Sequence, residues 1–275
     1  MKDLFTLKNK VIVVTGAAGL LGFEYCKAIM NANGIPILLD INKKTLSYKI
    51  HELKNSFPDS FCESYVVDIT DENRIKENCS EIIAKYGKID GLINNAANNP
   101  KIEDNNKLNF SRLENFNLAV WKNDLNIGLT GSFLCIKHYG FLISKNPYGG
   151  SIINVSSDLG VIAPNQNLYK KDGIIDELQS VKPVTYSVIK HGLNGLTKYV
   201  STYWADKNVR CNSICPGGVF NQQPEDFLDK VSKLIPLGRM AKKDEMNGIV
   251  VYLLSNASSY VNGSIINIDG GRSAW

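Results

Sequence analysis

The chain has 275 residues, of which 44% are hydrophobic and 21% charged, and these values are ordinary for one α/β domain with a sizeable core. The formal net charge of +4 comes from scattered lysines, and no run of them reaches the density of a nucleic-acid-binding tail. No apolar stretch approaches the ~18 residues of a membrane span, and the N-terminus has no apolar signal core. We therefore expect a cytoplasmic protein with neither a nucleic-acid nor a membrane partner.

The cysteines predict neither disulfides nor a metal site. The chain has six of them, and most lie inside apolar periodic segments. Only Cys211 and Cys215 are close in sequence, and no C-x-x-C pair or histidine partner accompanies them. We interpret all six as reduced residues of the interior.

Short apolar runs alternate with helical patterns along the whole chain. The apolar runs are residues 10–15, 35–40, 64–68, 91–94, 151–155, 209–214 and 265–268. The helical patterns are residues 20–32, 71–86, 121–143, 184–204 and 243–254. Runs that are apolar at both odd and even positions are typical of strands buried on both faces. The alternation predicts an α/β fold with a Rossmann-type doubly wound sheet of seven mainly parallel strands, helices on both faces, and a single domain over residues 1–275.

Two segments outside these elements are candidate substrate contacts. Residues 98–120 are rich in Asn and Lys, and residues 163–182 are polar without clear periodicity. Both follow a strand at its carboxyl end, where open α/β sheets bind ligands. We predict that they are substrate loops, with tolerated surface insertions as the alternative, and that a lid lies near residues 216–236.

A glycine turn, TGAAGLLG at residues 15–22, follows the first predicted strand. Gly16 is free to adopt backbone angles that other residues avoid, and Gly19 leaves room for an approaching phosphate. Gly22 allows close packing of the helix, whose free N–H groups can face a pyrophosphate. The strand before the turn and the helix after it support a dinucleotide site made by Gly16, Gly19, Leu20, Leu21 and Gly22.

The end of the second predicted strand indicates which dinucleotide is bound. Asp40, followed by Ile41, lies about 20 residues beyond the glycine turn, where a carboxylate can accept from both hydroxyls of the adenosine ribose. A carboxylate there repels a 2′-phosphate, so the sequence favours NAD over NADP. Lys43 and Lys44 could pair with that phosphate, but we interpret them as surface charge at the start of a helix.

Asp68 and Ile69 end the third predicted strand. The carboxylate of Asp68 is placed to accept from the adenine amino group. The alternative is that Asp68 caps the next helix.

A Tyr-x-x-x-Lys pair, Tyr186 and Lys190, is the strongest indication of chemistry. Residues four apart on a helix share one face, so both groups are expected at one site. A phenol ionises near pH ~10 when unperturbed. A nearby ammonium favours the phenolate and lowers that pKa, so the pair is suited to acid–base catalysis.

With these residues in order, the chain resembles the short-chain dehydrogenase/reductase family, in its compact single-domain branch, from about residue 10 to residue 271. The resemblance depends on the glycine turn and five further motifs in family order. They are NNAA at residues 94–97, Asn126 in LNIG, Ser157 in NVSSD, the Tyr186/Lys190 pair, and NSICPG at residues 212–217.

The resemblance implies a catalytic group of four residues. Tyr186 would be the general acid/base, and Lys190 would lower its pKa and hold the nicotinamide ribose. Ser157 would hydrogen-bond the substrate oxygen, and Asn126 would anchor a water that relays protons to Lys190. The chemistry agrees, because hydride transfer to a carbonyl builds negative charge on oxygen, to which two hydroxyls can donate.

The resemblance also implies further contacts with the cofactor. Asn95 and Ala96 would line the adenosine ribose, while Pro216, Gly217 and Val219 would cover the nicotinamide.

Four departures from the family pattern accompany these matches. The glycine turn has the Gly-x-x-Gly-x-x-Gly spacing that is more usual in the epimerase/dehydratase branch, and Ala97 replaces a glycine. No Thr follows the Pro216-Gly217 pair, which puts one carboxamide contact in doubt, and the 163–182 segment stretches the separation of Ser157 from Tyr186.

The sequence therefore predicts an NAD-dependent oxidoreductase acting on an alcohol or carbonyl. The segments at residues 182–191, 217–224 and 269–275 look similar to bacterial flagellin-modification-type oxidoreductases, which would imply a sugar or nucleotide-sugar substrate. The alternatives are a sugar epimerase or dehydratase with bound NAD, and a non-catalytic dinucleotide sensor. We also expect a homodimer or homotetramer built through residues 121–143 and 184–204, whose apolar groups exceed one core-facing stripe.

Overall fold

The computed structural model describes residues 4–98 and 111–275. Seven strands form one sheet in the order β3-β2-β1-β4-β5-β6-β7, and every neighbouring pair is parallel. The strands are β1 Val11–Thr15, β2 Ile35–Asp40, β3 Glu63–Val66, β4 Gly91–Asn94, β5 Gly150–Val155, β6 Val209–Pro216 and β7 Ile265–Ile268. The predicted doubly wound parallel sheet is confirmed.

The central strands are buried on both faces, which explains why their sequences are apolar at successive positions. All five residues of β1 are buried. Ile12 and Val14 point into one hydrophobic cluster, whereas Val11 and Val13 point into a second cluster on the opposite face. The sheet thus separates two cores, each covered by helices.

The helices alternate with the strands. They are α1 Leu20–Asn31, α2 Lys43–Ser56, α3 Glu72–Tyr86, α4 Leu118–Leu125, α5 Gly131–Cys135, α6 Phe141–Ile143, α7 Val184–Tyr203, α8 Glu225–Ser232 and α9 Asn247–Leu254. Two of them, α2 and α8, are absent from the helical patterns predicted from the sequence. The last helix begins at Asn247, later than the predicted start at residue 243.

Residues 118–143 form one continuous helical rod. Two π-helical turns, Asn126–Thr130 and Ile136–Gly140, join α4, α5 and α6 without leaving helical backbone angles. This rod packs against α7 through Gly128, where an added Cβ would lie only 2.7 Å from Ile189. The close approach brings the rod beside the helix that carries the Tyr186/Lys190 pair.

The predicted substrate loops are only partly within the described residues. Of residues 98–120, the stretch 99–110 lies outside them. Residues 163–182 contain two short 3₁₀ turns and are tied together by the buried Gln179 side chain, which donates to the carbonyls of Lys171 (2.9 Å) and Ile174 (2.7 Å). This segment ends directly in front of α7.

Three further features concern membranes, cysteines and metals. No helix within residues 4–98 and 111–275 is long and apolar enough to cross a membrane. All six cysteines are buried and free, as expected. In the described part of the chain, no three His, Cys, Asp or Glu side chains gather into a metal-binding group.

Candidate active site

A cleft of about 550 Å³ opens along the carboxyl ends of the strands, where α/β folds bind ligands. It brings together residues that are far apart in sequence. The sequence-predicted residues that line it are Gly16, Gly19, Leu20, Leu21, Asp40, Asn95, Ala96, Ser157, Tyr186, Lys190, Pro216, Gly217 and Val219. The predicted residues Gly22, Ile41, Asp68, Ile69 and Asn126 are not among its lining.

The glycine turn forms one end of the cleft, and its glycines are required by close contacts. Gly16 has φ +61°, and a Cβ there would lie 2.8 Å from the Cα of Ala96. A Cβ on Gly22 would lie 2.3 Å from the Gly16 carbonyl oxygen, so the turn leaves no room for a side chain at this position. Gly19 precedes α1, whose first N–H groups have no acceptor within the helix and face the cleft through Leu20 and Leu21. The turn therefore fits a pyrophosphate.

Asp40 holds the glycine turn against the end of β2. Its carboxylate accepts from the backbone N–H of Ala18 (3.0 Å) and of Asn42 (2.9 Å). These two bonds fix the carboxylate at the rim of the cleft with acceptor capacity left over. The next residue, Ile41, is 67% exposed, so only its backbone is near this rim.

Asp68 is half-buried and does not cap α3. It accepts from the Thr70 backbone N–H (2.8 Å) and the Thr70 hydroxyl (2.7 Å), whereas Asp71 caps the helix. Ile69 is buried and packs against Gly131, where an added Cβ would lie 2.6 Å from the Ile69 side chain. The alternative that Asp68 caps α3 is thus wrong, because the cap is Asp71 and the helix begins at Glu72.

Asn95 and Ala96 connect the glycine turn to the end of β4. The Asn95 side-chain amide donates to the carbonyls of Thr15 (3.0 Å) and Gly16 (3.1 Å). The backbone N–H groups of Asn95 and Ala96 both donate to the Thr15 hydroxyl, at 3.0 Å and 3.1 Å. Asn95 therefore stabilises the turn as well as lining the cleft.

Tyr186 and Lys190 lie on the cleft side of α7, as their spacing predicted. Lys190 Nζ donates to the Val155 carbonyl oxygen at 2.8 Å and lies 5.6 Å from the centre of the Tyr186 ring. Burial, with repulsion from Lys182 second, lowers the pKa of Lys190 to about 8.

The pKa of Tyr186 is raised by burial, although its hydrogen bond with Ser157 acts in the opposite direction. The Asp158 carboxylate also raises this pKa, so the net lowering expected from Lys190 is not seen in the structure.

Ser157 is held in place by its neighbour Asp158. Its hydroxyl donates to the Asp158 carboxylate at 2.7 Å and accepts from the Leu159 backbone N–H at 3.2 Å. The other carboxylate oxygen of Asp158 accepts from Arg272 at 2.9 Å, in an ion pair whose side chains are only 4% and 9% exposed. A serine fixed in this way beside Tyr186 presents a second hydroxyl to a substrate oxygen.

Asn126 is not brought to this group. It is exposed, at the first π-helical turn, and its backbone carbonyl accepts from the N–H of Gly131. The helix face that meets α7 carries Gly128, which is buried. A water relay from Asn126 to Lys190 therefore has no geometric support, and this placement corrects the sequence-based expectation.

The segment after β6 forms the opposite wall of the cleft. A Cβ on Gly217 would lie 2.8 Å from the Cα of Asp269, so the chain passes here against β7 without room for a side chain. Val219 forms a bridge with Ala241 that fixes the start of the predicted lid. The donor set at both ends of the cleft fits an NAD(P) molecule, which supplies or accepts the hydride when bound.

Three charged residues of the cleft were missed by the sequence analysis. Asp158 follows Ser157, but a single acidic residue after a motif carries no specific signal. Lys182 lies at the end of the 163–182 segment, where it was assigned only to a loop. Arg272 is 114 positions from its partner Asp158, a distance in sequence that no local pattern bridges.

Known proteins are similar to this chain in sequence and in fold. A family model described as short chain dehydrogenase matches residues 10–170, and one described as Enoyl-(Acyl carrier protein) reductase matches residues 177–273. The chain is 33% identical to Post-translational flagellin modification protein A of Campylobacter coli, over 96% of this chain and 98% of that protein.

Two further relatives extend the comparison. The chain is 31% identical to Sorbose reductase SOU1 of Candida albicans, with coverage of 98% and 89%. It is 22% identical to a solved gluconate 5-dehydrogenase from Burkholderia cenocepacia in complex with NADP and tartrate, with a TM-score of 0.85 and coverage of 100% and 99%.

The family models together span nearly all of the chain, and the curated relatives align along almost their full length. The non-catalytic sensor considered from the sequence is set aside, because these relatives are oxidoreductases. The chain belongs to the short-chain dehydrogenase/reductase family and is an NAD(P)-dependent oxidoreductase.

Proposed function

We propose that this enzyme transfers a hydride between NAD and an alcohol or carbonyl group of a sugar derivative. The observation that carries the proposal is the meeting of three groups at one end of the cleft. Tyr186, Ser157 and Lys190 all line the same cleft as the glycine turn. This arrangement suits a substrate oxygen whose charge changes during the reaction.

The roles of the three residues follow from their contacts. Tyr186 exchanges a proton with the substrate oxygen, and Ser157 donates a hydrogen bond to the same oxygen once its hydroxyl turns away from Asp158. Lys190 supplies positive charge behind the Tyr186 ring and favours the phenolate. Because the burial of Tyr186 opposes ionisation, this charge is needed for Tyr186 to act as a base near neutral pH.

Asp40 supports NAD as the cofactor. Its carboxylate is fixed by the Ala18 and Asn42 N–H groups at the end of β2. The 2′-phosphate of NADP would meet this fixed negative charge, whereas the ribose hydroxyls of NAD would donate to it. Dissociation constants measured for both cofactors test the preference, and tighter binding of NADP would refute it.

The substrate class is supported by the relatives and by the polar residues of the cleft. Sorbose reductase and the flagellin modification protein are named for sugar or flagellin chemistry. Asn221 lines the cleft beyond Val219 and offers its side-chain amide to hydroxyls, whereas the Gln223 amide accepts from the Asn221 N–H (2.7 Å) and donates to the Val219 carbonyl (3.0 Å). An apolar wall that includes Leu168 and Val231 faces them.

The test of the reaction is the substitution Tyr186→Phe, assayed by NADH absorbance over a panel of amino sugars, nucleotide sugars and polyols. We expect turnover to fall by ~10²–10⁴-fold with nearly unchanged NAD binding, because only the acid–base hydroxyl is removed. Tyr25→Phe is the matched control. It also removes a buried tyrosine hydroxyl, but that hydroxyl lies outside the cleft and has no hydrogen-bond partner. Near-normal turnover by Tyr186→Phe would refute the assignment.

We further propose that the protein assembles as a homodimer or homotetramer through the rod of residues 118–143 and through α7. Part of the apolar surface expected there is in the core, but Phe133, Phe141, Tyr199 and Tyr203 remain 48% to 63% exposed. Tyr199 and Tyr203 stack on each other at 5.6 Å on the surface of α7. Exposed aromatic groups on adjoining helices favour association between copies.

A further inference from the structure

The Lys182 ammonium lies inside the cleft without an anionic partner among the described residues. Lys182 precedes α7 by two positions and lines the cleft. Its Nζ lies 3.8 Å from the centre of the Tyr186 ring, closer than the Nζ of Lys190 at 5.6 Å. The catalytic tyrosine is therefore flanked by two ammonium groups, and the family resemblance assigns a role to only one.

The carboxylates that line the cleft are already engaged elsewhere. Those of the described chain are Asp40 and Asp158. Asp40 accepts two backbone N–H groups at the glycine turn. Asp158 accepts from Ser157, Leu159 and Arg272, and the Arg272 ion pair neutralises its charge. Neither carboxylate forms an ion pair with Lys182, although the charge of Asp158 raises the pKa of Lys182 against the larger effect of burial.

The other cations of the cleft are also accounted for. Arg272 is paired with Asp158, and Lys190 donates to the Val155 carbonyl beside the catalytic tyrosine. Among the described cations of the cleft, the Lys182 ammonium is the one without a hydrogen-bond acceptor, and it lies at the end of the cleft where the substrate reacts. Burial lowers the pKa of Lys182 to about 8, so the group is still mainly protonated at neutral pH. An unpaired buried charge is costly, and a ligand that pairs with it recovers that cost.

We propose that Lys182 binds an acidic group of the substrate, a carboxylate or a phosphate, close to the carbon that is oxidised or reduced. This inference rests on the proposed oxidoreductase function and narrows its substrate to acidic sugar derivatives. The Nζ lies on the face of the Tyr186 ring, and the reacting oxygen meets the hydroxyl at the end of the same ring. The acidic group therefore stands only a short carbon chain away from the reacting carbon.

A different role for Lys182 would be to act through Tyr186. A cation on the ring face stabilises the electron-rich phenolate, which would help every substrate equally. Recognition of an acidic group helps only substrates that carry one. The two roles are thus separated by comparing acidic and neutral ligands of the same carbon skeleton.

The experiment measures binding of gluconate, sorbitol 6-phosphate and neutral sorbitol to the NADH-saturated protein by calorimetry. Saturation with NADH keeps the probes away from the pyrophosphate site at the glycine turn. We expect at least one acidic probe to bind about tenfold or more tightly than sorbitol, because a hydrogen bond between charged groups increases affinity by about that factor. Which acidic probe binds distinguishes a carboxylate from a phosphate.

The variants assign the effect to one residue. Lys182→Met should remove the advantage of the acidic probe by about tenfold or more and leave sorbitol unchanged, while Lys182→Arg should retain much of it. Lys145→Met is the matched control, because Lys145 also lies on an aromatic ring, at 4.7 Å from Phe141, but outside the cleft. If Lys182→Met does not fold, Lys182→Gln replaces it.

Three results would overturn the inference. They are equal binding of all three probes by the wild type, equal weakening of all three by Lys182→Met, and an effect of Lys145→Met as large as that of Lys182→Met. Because binding is measured without turnover, the result is independent of the proposed reaction. Selective binding of an acidic probe without oxidation or reduction of any sugar would refute the reaction and leave the Lys182 site intact.

Discussion

Replacing Lys182 by methionine should stabilise the folded protein at neutral pH, even though it removes a polar residue from the cleft. The reason is the burial of an unpaired ammonium. Its pKa falls from the ordinary 10.5 to about 8, and burial is the largest cause. A pKa shift of one unit corresponds to about 1.4 kcal/mol, so the charge costs the folded state about 3 kcal/mol.

Two corrections reduce this cost. The ammonium lies 3.8 Å from the centre of the Tyr186 ring, and such a contact returns about 1 kcal/mol. Lys182 is also only partly buried, so solvent screens some of its charge. Methionine keeps the apolar stem of the side chain and removes the charge. The expected gain is therefore about 2 kcal/mol, or about 4 °C or more in Tm for a domain of this size.

The lowered pKa of Lys182 also determines how this stability effect varies with pH. An amine whose pKa is lower in the folded state binds fewer protons there than in the unfolded chain between pH 8 and 10.5. Wild-type stability from this group therefore rises with pH across that window. The advantage of Lys182→Met is complete below pH 8 and disappears above pH 10.5.

Urea denaturation followed by tryptophan fluorescence, at neutral pH and near pH 10.5, measures both ends of this window. Lys145→Met, which removes an exposed lysine from the Phe141 ring, should show no such gain at either pH. A loss of stability in Lys182→Met at neutral pH, or a gain that does not depend on pH, would refute the reasoning. The first result would mean that a partner stabilises the ammonium.

The remaining predictions concern the cofactor, the ion pair and the assembly. Asp40→Ala should narrow the preference for NAD over NADP, measured by the two dissociation constants, because the repulsion of the 2′-phosphate is removed; an unchanged ratio would mean that Lys43 or Lys44 decides it. Arg272→Met should lower the free energy of unfolding by about 3–5 kcal/mol, since it leaves the Asp158 carboxylate buried and unpaired, and denaturation at neutral pH measures this. Light scattering at micromolar concentration should give a mass of two or four chains, and a 30.5 kDa particle would refute assembly.

The sheet was predictable because its strands are buried on both faces. Runs such as residues 11–14 are apolar at every position, and a glycine turn or a polar segment follows them. Helix α2 was missed for the opposite reason. Only Leu46 and Leu53 are buried along its 14 residues, so its surface is mostly polar and its apolar period is weak. Its start is set locally, by the Asn42 side chain that accepts from the Thr45 N–H.

The shared position of Tyr186 and Lys190 was predictable because it depends on local spacing, whereas Asn126 shows where a motif stops being informative. A shift of two positions along a helix turns a side chain by about 200°, to nearly the opposite face. Asn126 is exposed, and Gly128, two positions later, packs against Ile189 beside Lys190. A motif in the right order fixes which helix is involved, but contacts with α7 decide which face is turned inward.

The roles of the charged residues in the cleft could not be predicted from any local sequence pattern, because the role of each depends on the positions of the others. Asp158 is buried at a position where its charge is tolerable only with Arg272, which comes from the other end of the chain. That pairing keeps Asp158 from forming an ion pair with Lys182, and it also fixes Ser157 through the Asp158 carboxylate. The same ion pair thus positions the Ser157 hydroxyl and leaves the Lys182 ammonium free for the proposed acidic ligand. A stability cost at Lys182 and selectivity for acidic ligands therefore have one structural cause, and the denaturation and binding experiments on Lys182→Met should change together.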